Sequence, residues 1–445
     1  MNVHRKNRRT FLKSAAVAAV ATSRFPILGA NDRVNVAVIG MGGRGRDHVK
    51  FFSELKQECA IRAVCDVNQA ARERAVAQVE KLGGARPKEV RDMRSLFDDK
   101  EIDAVSIATP NHWHALATIW ACQAGKDVYV EKPACHNIWE GQQMIAAARK
   151  YNRIVQVGSQ SRSLEHRIQA MDLLHKGEIG QIYMARGIGF KLRKSIGHTP
   201  DEPVPAGLDW DMFLGPAQMK PYSKNKFAYN WHWFWDTGNG DICNQGVHEI
   251  DICLWGLDRG GWPASVAATG GKYVWQDDQQ TPNTQQASFD FGEAEMTFDC
   301  RNLLSSPVAD IPPQGHNCIG NIFLGSEGYL VTDWSGFRVY KGDDRQLSVD
   351  VKAKGDIWTA VPHMANFLAA VRSRDRNALH ADIAVGVRAA DFAHLANIAY
   401  RVKRTIRPSR STGGFIGDAE ANALLSRNYR APYVVPDITG SSSQP

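Results

Sequence analysis

Short aliphatic runs alternate with amphipathic stretches over the first third of the chain. Five such runs predict buried strands, at residues 34–39, 61–65, 104–108, 128–130 and 155–157. Helical stripes of apolar residues separate them, at residues 48–55, 69–82, 112–124 and 139–151. Strands that alternate with helices of this length are typical of βαβ units and of a parallel sheet covered on both faces. The pattern therefore predicts an α/β domain with a doubly wound parallel sheet over residues 31–160.

The pattern changes in the second part of the chain. Residues 181–190 and 264–340 alternate apolar and polar side chains between Gly, Pro and Asn residues, which favours antiparallel strands. The clearest strands are at 288–291 and 295–300, and helical patterns lie at about 163–176, 247–257, 361–374 and 382–403. We therefore predict an α+β domain with a largely antiparallel open sheet over residues 161–405. The tail over residues 406–445 is predicted to be irregular and frayed.

Composition and charge exclude several classes of protein. Hydrophobic residues make up 43% of the chain and charged residues 23%, which excludes disordered, collagen-like and coiled-coil chains. No apolar run is long enough to span a membrane, so we expect no membrane insertion. The formal charge is +7, but residues 1–30 contain six cations and no carboxylate, so the rest is nearly neutral and predicts no nucleic-acid partner. The 8 cysteines show no CxxC pattern and are predicted to be buried thiols.

The first residues have the pattern of a targeting segment. Residues 7–13, NRRTFLK, contain paired arginines, and a weakly apolar, Ala-rich stretch follows over residues 14–22. We predict a twin-arginine signal peptide over residues 1–30, cleaved near Ala30. The protein would then use the twin-arginine translocation machinery and be periplasmic or otherwise exported, folded and already loaded with any cofactor. The alternative is an amphipathic N-terminal helix that stays attached.

A glycine-rich turn follows the first predicted strand. Residues 40–45, GMGGRG, fit the G-x-G-x-x-G pattern, in which glycines allow a tight turn and close approach to a pyrophosphate. Asp66 ends the next strand about 20 residues later, where a carboxylate binds both ribose hydroxyls and repels a 2′-phosphate. The motif predicts NAD and makes NADP the less favoured cofactor. Binding of NADP stays an alternative, because Arg44 or Arg72 could pair with its 2′-phosphate. The alternative is a structural βαβ turn without a ligand.

Polar residues also follow two later strands, where doubly wound sheets bind their ligands. Residues 109–114 read TPNHWH, and residues 131–133 read EKP. His112 and His114 lack a matching Cys or carboxylate cluster, so we predict hydrogen bonds between domains for them and no metal site. Lys132 is suited to bind a substrate hydroxyl, with its pKa lowered by a nearby cofactor cation; the alternative is a surface ion pair with Glu131.

These motifs, together with Gly-x-His-x-x-Asp at residues 246–251, resemble the Gfo/Idh/MocA family of oxidoreductases over about residues 33–405. The resemblance implies a Rossmann domain followed by an α+β domain whose open sheet often serves oligomerisation, so we expect a homo-oligomer. It implies that Lys132 contacts the substrate and the nicotinamide ribose, with a cis bond before Pro133. It also implies that His248 is the catalytic imidazole that exchanges the hydroxyl proton.

One position departs from the family pattern. Many members have Asp four residues before the histidine, whereas this chain has Asn244, which cannot take a proton. A carboxylate in that role would have to come from Asp241 or Asp251, or His248 would work with Lys132 alone. For Asp251 we favour a structural role.

The segment 231–235, WHWFW, precedes this helix. If it is extended, the indoles of Trp231, Trp233 and Trp235 share one face, suited to stack on sugar rings, and His232 points the other way toward the cleft. The alternative is that these indoles cover the sheet. Gln160 and Arg162, after the last parallel strand, are candidates for the mouth of the site.

The predicted site therefore has three sets of residues. We assign catalysis to Lys132 and His248. The predicted cofactor contacts are Gly40, Gly42, Gly43, Arg44, Gly45, Asp66, Thr109, Asn111, His114, Glu131 and Lys132. The predicted substrate contacts are Lys132, Gln160, Arg162, Trp231, His232, Asn244 and His248.

Three functions compete at this stage. The first is an NAD(P)-dependent oxidoreductase acting on a hydroxyl of a sugar, sugar derivative or cyclitol, with a tightly bound, recycled cofactor, because free NAD is scarce outside the cytoplasm. The second is an NAD-dependent glycosidase or lyase that works through transient oxidation at C3 and elimination. The third is a non-catalytic, nucleotide-responsive binding protein, which the joint presence of Lys132 and His248 disfavours.

Overall fold

A computed structural model describes residues 33–308, 310–409 and 413–440. Its first domain is a six-stranded parallel sheet with the strand order β3-β2-β1-β4-β5-β6 and helices on both faces. The strands are β1 (Val34–Ile39), β2 (Cys59–Cys65), β3 (Lys88–Val90), β4 (Ala104–Ile107), β5 (Asp127–Val130) and β6 (Val155–Val157). The helices are α1 (Arg44–Glu54), α2 (Gln69–Lys81), α3 (Arg94–Asp98), α4 (Asn111–Gln123) and α5 (Ile138–Lys150).

The five predicted strands and the four predicted helices of this domain are confirmed. The central strands β1, β4 and β5 are almost wholly buried, as continuous aliphatic runs require in a sheet covered on both faces. The sequence pattern missed β3 and α3. Strand β3 is only three residues long and two of them are exposed, so it carries no apolar run that a pattern can detect.

The second domain is built on an eight-stranded sheet with the order β14-β13-β12-β11-β7-β10-β9-β8. Its strands are β7 (Ile182–Lys191), β8 (Ser265–Gly271), β9 (Thr284–Asp290), β10 (Glu295–Arg301), β11 (Asn317–Gly325), β12 (Gly328–Asp333), β13 (Gly336–Lys341) and β14 (Gln346–Lys352). All described pairs in it are antiparallel except β7 with β10. The predicted fold class is therefore confirmed.

Four longer helices belong to this part of the chain, and two shorter ones complete it. They are α6 (Glu165–His175), α7 (Trp210–Leu214), α8 (Val247–Leu257), α9 (Val361–Ser373), α10 (Ile383–Val402) and α11 (Ala419–Asn422), beside a small hairpin of β15 (Pro408–Ser409) and β16 (Gly414–Phe415). Helix α8 lies on β7 because the strand has glycines there. A Cβ at Gly187 or Gly189 would crowd Phe298, and one at Gly187 would also crowd Glu249 of α8.

The last helices return to the first domain. Met364 and Phe367 of α9 are buried in the core against α1, and Val387 of α10 packs beside α5. The predicted tail, residues 406–445, is only partly irregular, because it contains the β15–β16 hairpin and α11. Its described part up to residue 440 is not frayed. Tyr433 and Val435 are only 5% and 1% exposed, because they join the core around Trp113 and cover the first domain.

The predicted signal peptide over residues 1–30 lies outside the described residues. Within the part that is described, every helix is too short or too polar to cross a membrane. All 8 cysteines are buried and unpaired, as the absence of a disulfide pattern predicted.

Candidate active site

A cavity of about 1170 Å³ opens between the two sheets. We call its side from the first domain, residues 39–132, the N-terminal wall, and its side from residues 191–358 the C-terminal wall. The glycine turn lies on the first wall and His248 on the second. Pockets for drug-sized ligands span about 300–1,000 Å³, so this cavity has room for a large cofactor and a second molecule.

The glycine turn forms a cradle in which side chains are excluded for two different reasons. Gly40 has a φ of +90°, and a Cβ there would meet the backbone of Ala108 and Thr109. A Cβ at Gly45 would overlap the Gly40 carbonyl oxygen, so the third glycine permits the helix to start against the strand. At Gly42 and Gly43 a Cβ would meet nothing within 4 Å, so these positions keep open the space in front of the α1 N-terminus.

Asp66 lies at the end of β2 and closes one end of this cradle. Its Oδ2 accepts a hydrogen bond from the Met41 amide at 2.6 Å, and its Oδ1 accepts one from the Asn68 amide at 2.8 Å. Burial of the carboxyl group raises its pKa above the ordinary value despite these bonds. Asp66 therefore fastens the glycine turn to β2 and also faces the cavity, where ribose hydroxyls can reach it.

The two arginines that the sequence offered to a 2′-phosphate are engaged elsewhere. Arg72 donates to the Asp66 carbonyl oxygen at 2.9 Å and to Glu89 at 3.0 Å. Arg44 donates through Nε to Glu131 Oε1 at 2.9 Å. Both guanidinium groups already have a carboxylate partner, and this observation favours NAD over NADP.

Glu131, a predicted cofactor contact, lines the cavity, but its carboxylate is paired within the protein. Its buried carboxylate accepts hydrogen bonds from Arg44 and from His48 Nε2 on α1, and the His48 bond is 2.9 Å long. The other ring nitrogen of His48, Nδ1, bonds the Ser106 hydroxyl at 2.8 Å. Burial alone would raise the pKa of Glu131, but the Arg44 guanidinium and the His48 bond hold that pKa well below its usual range. Although Glu131 lines the cavity, its charge is used to hold α1 against the strand ends.

The turn after β4 supplies buried polar groups. Thr109 lines the cavity, and its buried hydroxyl has no hydrogen-bond partner among the described residues. His114 bonds the carbonyl oxygens of Thr109 at 2.8 Å and Pro133 at 2.7 Å, so it ties together two strand-end turns of the first domain. The hydrogen bond between domains that we predicted for His114 is therefore wrong. Asn111 also lines the cavity and donates to Asn239 at 3.2 Å.

His112 confirms the role between domains that the sequence suggested. Its two ring nitrogens lie 2.9 Å from the Phe213 carbonyl oxygen and 3.3 Å from that of Thr237. Burial lowers the pKa of His112 to about 3, which keeps the imidazole neutral in this contact.

Lys132 reaches across the cavity from the N-terminal wall. The bond before Pro133 is cis, as the resemblance implied. The Lys132 ammonium donates to the Asn244 carbonyl oxygen at 2.8 Å and lies 3.4 Å from Asn244 Oδ1. The alternative of a surface ion pair with Glu131 is therefore wrong. Burial lowers the pKa of Lys132 to about 8. The positive charges of Lys191 and Arg44 act in the same direction, and the negative charge of Glu131 acts against them.

His248 faces Lys132 from the first turn of α8. Its imidazole lines the cavity and makes no hydrogen bond with any described residue. Burial and the Lys132 charge lower the pKa of His248 well below its ordinary value, so the ring is neutral at pH 7. A buried neutral imidazole without a protein partner is free to accept or donate a proton to a molecule in the cavity.

Asn244 is the centre of a hydrogen-bond network behind Lys132. It lies in the π-helical turn Ile242–Gly246, and its side-chain amide donates to the Tyr229 hydroxyl and to Asp241 Oδ1, each at 3.0 Å. Asp241 is buried and paired with Arg193, which holds its pKa below the ordinary value against the opposing effect of burial. The Tyr229 hydroxyl also accepts from Arg193 at 2.9 Å.

Two predicted positions lie outside this network. Arg162 forms a bidentate ion pair with Asp251, with contacts of 2.8 Å, and stacks on Trp255. The prediction that Arg162 lines the mouth of the cavity is therefore wrong, because Asp251 on α8 holds its guanidinium. Asp251 has the structural role that we favoured. Gln160, in contrast, does line the cavity.

The tryptophan-rich segment is not extended, and the alternation expected of it is wrong. Residues Asn230–Trp233 form a 3₁₀ turn, which puts Trp231 and His232 side by side in the cavity with ring centroids 3.6 Å apart. Trp233 is buried, and Trp235 packs outside the cavity under Arg401. Burial lowers the pKa of His232 to about 3, and its Nδ1 bonds the Tyr229 carbonyl oxygen at 2.6 Å.

Sequence reasoning missed several residues of the C-terminal wall. They are Lys191, Tyr229, Gln245, Gln314, Asn317, Trp334, Asp356 and Trp358. Lys191 ends β7 and donates to Gln245 at 3.1 Å, immediately beside Asn244. Gln245 directly precedes the motif at residues 246–251, whereas the others lie in no motif and come from strand ends, turns and loops. The excess of tryptophan was the available signal, but it did not indicate which indoles share a surface.

The chain is similar to known proteins in both of its domains. The model of a family described as "Oxidoreductase family, NAD-binding Rossmann fold" matches residues 34–159. The model of the corresponding C-terminal alpha/beta domain matches residues 177–273 and 333–435. Together these two models cover most of the chain.

Individual proteins are similar over shorter stretches. A "Glycosyl hydrolase family 109 protein" of Shewanella baltica is 28% identical over 208 residues, 41% of this chain and 44% of that protein. "Inositol 2-dehydrogenase" of Salmonella typhimurium is 30% identical over 155 residues, 35% of this chain and 45% of that protein. The chain thus spans less than half of the length of these curated relatives. The structure of "Levoglucosan dehydrogenase, complex with NADH" has a TM-score of 0.65 at 18% identity, covering 85% of this chain and 100% of that one, which shows a shared fold.

Proposed function

The chain belongs to the Gfo/Idh/MocA family of NAD-binding oxidoreductases, and from this premise we propose that it acts with NAD on a hydroxyl-bearing carbon of a sugar, sugar derivative or cyclitol. One observation carries the proposal. The Lys132 ammonium and an unpartnered, neutral His248 share a cavity with a glycine cradle that fits a pyrophosphate. Inositol 2-dehydrogenase and levoglucosan dehydrogenase, named above, support the substrate class.

The residues of this chain fit a dinucleotide. Gly42 and Gly43 leave room for a pyrophosphate at the α1 N-terminus, Asp66 is placed for ribose hydroxyls, and the Thr109 hydroxyl lacks a partner. A bound nicotinamide ring supplies the acceptor and donor of hydride at the reacting carbon. All proton transfers then belong to side chains of the two walls.

We assign the hydroxyl proton to three side chains of the cavity. Lys132 binds the substrate hydroxyl and, with its pKa near 8, exists partly as the neutral amine at mildly alkaline pH. Neutral His248 takes or returns the proton. The Tyr229 hydroxyl accepts from both Arg193 and Asn244, so its own proton is left to donate into the cavity. Tyr229 thereby fills the acid–base position that Asn244 cannot fill, since Asp241 is locked to Arg193.

The first experiment identifies the nucleotide. Protein purified without added cofactor is unfolded, and the supernatant is analysed by mass spectrometry and absorbance. We expect about one NAD per chain, held tightly and recycled between two substrates. Recovery of a stoichiometric NADP would correct the cofactor, and a chain that neither releases nor binds any nicotinamide nucleotide would remove the basis of the proposal.

A redox-neutral glycoside cleavage is the second candidate, because a glycosyl hydrolase family 109 protein is among the relatives. Such a reaction needs a base for the proton at C2, and the neutral, unpartnered His248 is available for it. Turnover of an aryl glycoside in deuterium oxide separates the two candidates. Deuterium at C2 of the product selects cleavage by elimination, and retention of the C2 hydrogen selects simple oxidation and reduction.

We further propose that residues 1–30 direct export by the twin-arginine pathway and that the protein is periplasmic. Arg8 and Arg9 before an Ala-rich stretch support this proposal. Replacing both arginines by lysine should retain the protein in the cytoplasm, and unchanged export would contradict it.

We also propose a homo-oligomer, supported by Tyr183 and Leu347, which are 50% and 55% exposed on strands of the large sheet. Light scattering during gel filtration tests it.

A further inference from the structure

The cavity has a second aromatic surface, away from the site of Lys132 and His248. Trp334, in the turn between β12 and β13, and Trp358, in the loop before α9, stack with ring centroids 4.9 Å apart and both line the cavity. Trp334 is buried, whereas Trp358 is 59% exposed. Among the described residues neither indole N–H has an acceptor. A large aromatic face left open in a cavity is costly in water and is typical of a ligand surface.

Strand pairing gives the separation between this surface and the residues around Lys132. Lys191 of β7 is opposite Asn317 of β11, and Ile319 follows on the same face of β11. Asp333, next to Trp334, is opposite Gly320 of the same strand. Trp334 is therefore two strand spacings across the sheet from Lys191 and also displaced along the strands, so their backbones are more than about 10 Å apart. Lys191 donates to Gln245, the neighbour of the Asn244 that accepts from Lys132. The separation exceeds the length of one pyranose ring, so a single sugar bound at Lys132 does not cover the tryptophan pair.

Polar groups with free hydrogen-bonding capacity surround the pair. The side-chain amide nitrogen of Gln314 donates to the Ile319 carbonyl oxygen at 3.1 Å, and Gln314 lines the cavity. Its side-chain oxygen is thereby left free to accept a hydrogen bond. Asn317 accepts from the Leu192 amide at 3.2 Å, which leaves its side-chain NH₂. Asp356 is exposed beside Trp358 and has no ion-pair partner among the described residues. An apolar face bordered by amide and carboxylate groups matches the two faces of a sugar ring, its C–H face and its hydroxyl rim.

We propose that Trp334 and Trp358 form a distal subsite for a second pyranose ring, so that the substrate is a glycoside or an oligosaccharide. The first ring reacts at Lys132 and His248, and the second ring stacks on the Trp358 face while Gln314, Asn317 and Asp356 bind its hydroxyls. This inference rests on the proposed function and deepens it, because it assigns the substrate to glycosides in preference to free monosaccharides and cyclitols.

Calorimetry on the nucleotide-loaded protein tests the subsite without requiring turnover. The probes are methyl glycosides of common hexoses and N-acetylhexosamines, each paired with the disaccharides that carry the same ring at the non-reducing end. We expect at least one disaccharide to bind roughly three- to tenfold more tightly than its methyl glycoside, the range for one aromatic contact. If no disaccharide binds more tightly than its partner, the subsite proposal is wrong.

Variants then locate the effect. Trp358→Ala should remove the preference for the disaccharide and leave the affinity for the methyl glycoside unchanged, and Trp358→Phe should retain part of the preference. The matched control is Tyr273→Ala, since Tyr273 is a 51% exposed aromatic residue that does not line the cavity. An equal loss of both affinities in Trp358→Ala, or a loss of its nucleotide, would overturn the subsite.

The two proposals fail in different ways. An empty protein with no affinity for nicotinamide nucleotides contradicts the oxidoreductase function, whatever sugars it binds. A nucleotide-loaded protein that oxidises sugars but treats each disaccharide and its methyl glycoside alike contradicts the subsite alone.

Discussion

The two walls of the cavity are built in different ways. The N-terminal wall consists of turns that directly follow buried parallel strands, and its shape is set by backbone atoms around Gly40 and Gly45. The C-terminal wall consists of side chains from separate strand ends, turns and one helix, which meet through hydrogen bonds such as those of Asn244. The first wall presents backbone geometry to the cavity, whereas the second presents side chains held by hydrogen bonds.

This contrast shows where each wall is vulnerable. A backbone cradle tolerates changes of neighbouring side chains but not an added Cβ, since interiors are close-packed and strand-end turns cannot move apart. A side-chain network tolerates backbone variation, but one altered charge in it changes the protonation of its neighbours. Lys132 lies in the N-terminal wall, and its hydrogen bond to the Asn244 carbonyl oxygen connects it to the C-terminal wall. A change of Lys132 therefore tests the contrast most strongly.

Lys132→Ala should have the largest effect. Without the ammonium the substrate hydroxyl loses its ligand and its acid–base group, and turnover should fall by about 10²–10⁴-fold, the usual range for such a group. Nucleotide content should stay near that of the wild type, because the glycine turn and Asp66 are untouched. Steady-state kinetics and nucleotide release measure the two quantities. Full activity in this variant would refute the assignment of Lys132.

Glu131→Gln tests the charge buried in the N-terminal wall. It leaves Arg44 and His48 without their carboxylate, so the free energy of unfolding at pH 7 should fall by about 3–5 kcal/mol. Because the folded-state pKa of Glu131 is depressed, the carboxylate stabilises the fold above its ordinary pKa of 4.5, and this contribution is lost as the pH falls through the folded value. The difference between the two proteins should therefore shrink below about pH 4.5. Denaturant melts at several pH values check this, and a constant difference would argue against the ion pair.

Gly45→Ala and Gly42→Ala form a matched pair within the cradle. The first adds a methyl group that overlaps the Gly40 carbonyl oxygen, and should cost about 1–3 kcal/mol of stability. The second adds the same group where nothing lies within 4 Å, so stability should be unchanged while nucleotide affinity falls. Thermal melts and nucleotide titration separate these results. Equal destabilisation by both variants would show that the turn is not a preformed cradle.

Asn244→Asp should have the smallest effect, a shift in pH dependence. If the neutral amine of Lys132 serves oxidation, the rate should rise as the pH increases through about 8, the lowered pKa of that group. A carboxylate at position 244 favours the ammonium form, so the midpoint should move upward by about one unit or more. Asn377→Asp is the control, because it adds the same charge on an exposed turn. A midpoint that stays in place in Asn244→Asp would exclude Lys132 as the titrating group.

Much of the N-terminal wall was predictable from the sequence, because its information is local. The strand before Gly40, the glycine spacing and Asp66 lie within one βαβ unit, and parallel strands bring their carboxyl ends to one edge. The role of Glu131 was not predictable. Its partners Arg44 and His48 lie more than 80 residues earlier, and only the sheet order brings α1 over β5.

The C-terminal wall shows the limit of local patterns. The same letters, WHWFW, fit an extended strand and a 3₁₀ turn equally well, and the prediction from alternation placed His232 opposite Trp231 when the two rings stack. Arg162 follows a strand end, as a site residue would, but it forms an ion pair with Asp251 on a helix that is distant in sequence. Tyr229, Lys191 and the pair of Trp334 and Trp358 lie in no motif at all.

The sequence by itself determined the two-domain fold, the glycine cradle and the presence of Lys132 and His248 as chemical groups. Each of these depends on the hydrophobic period or on spacing within one supersecondary unit, which the chain encodes locally. Only the tertiary structure decided which groups stay free to react. Burial and pairing sum over contacts from distant segments, and they left His248 unpartnered while they engaged Arg162, Asp241 and Glu131.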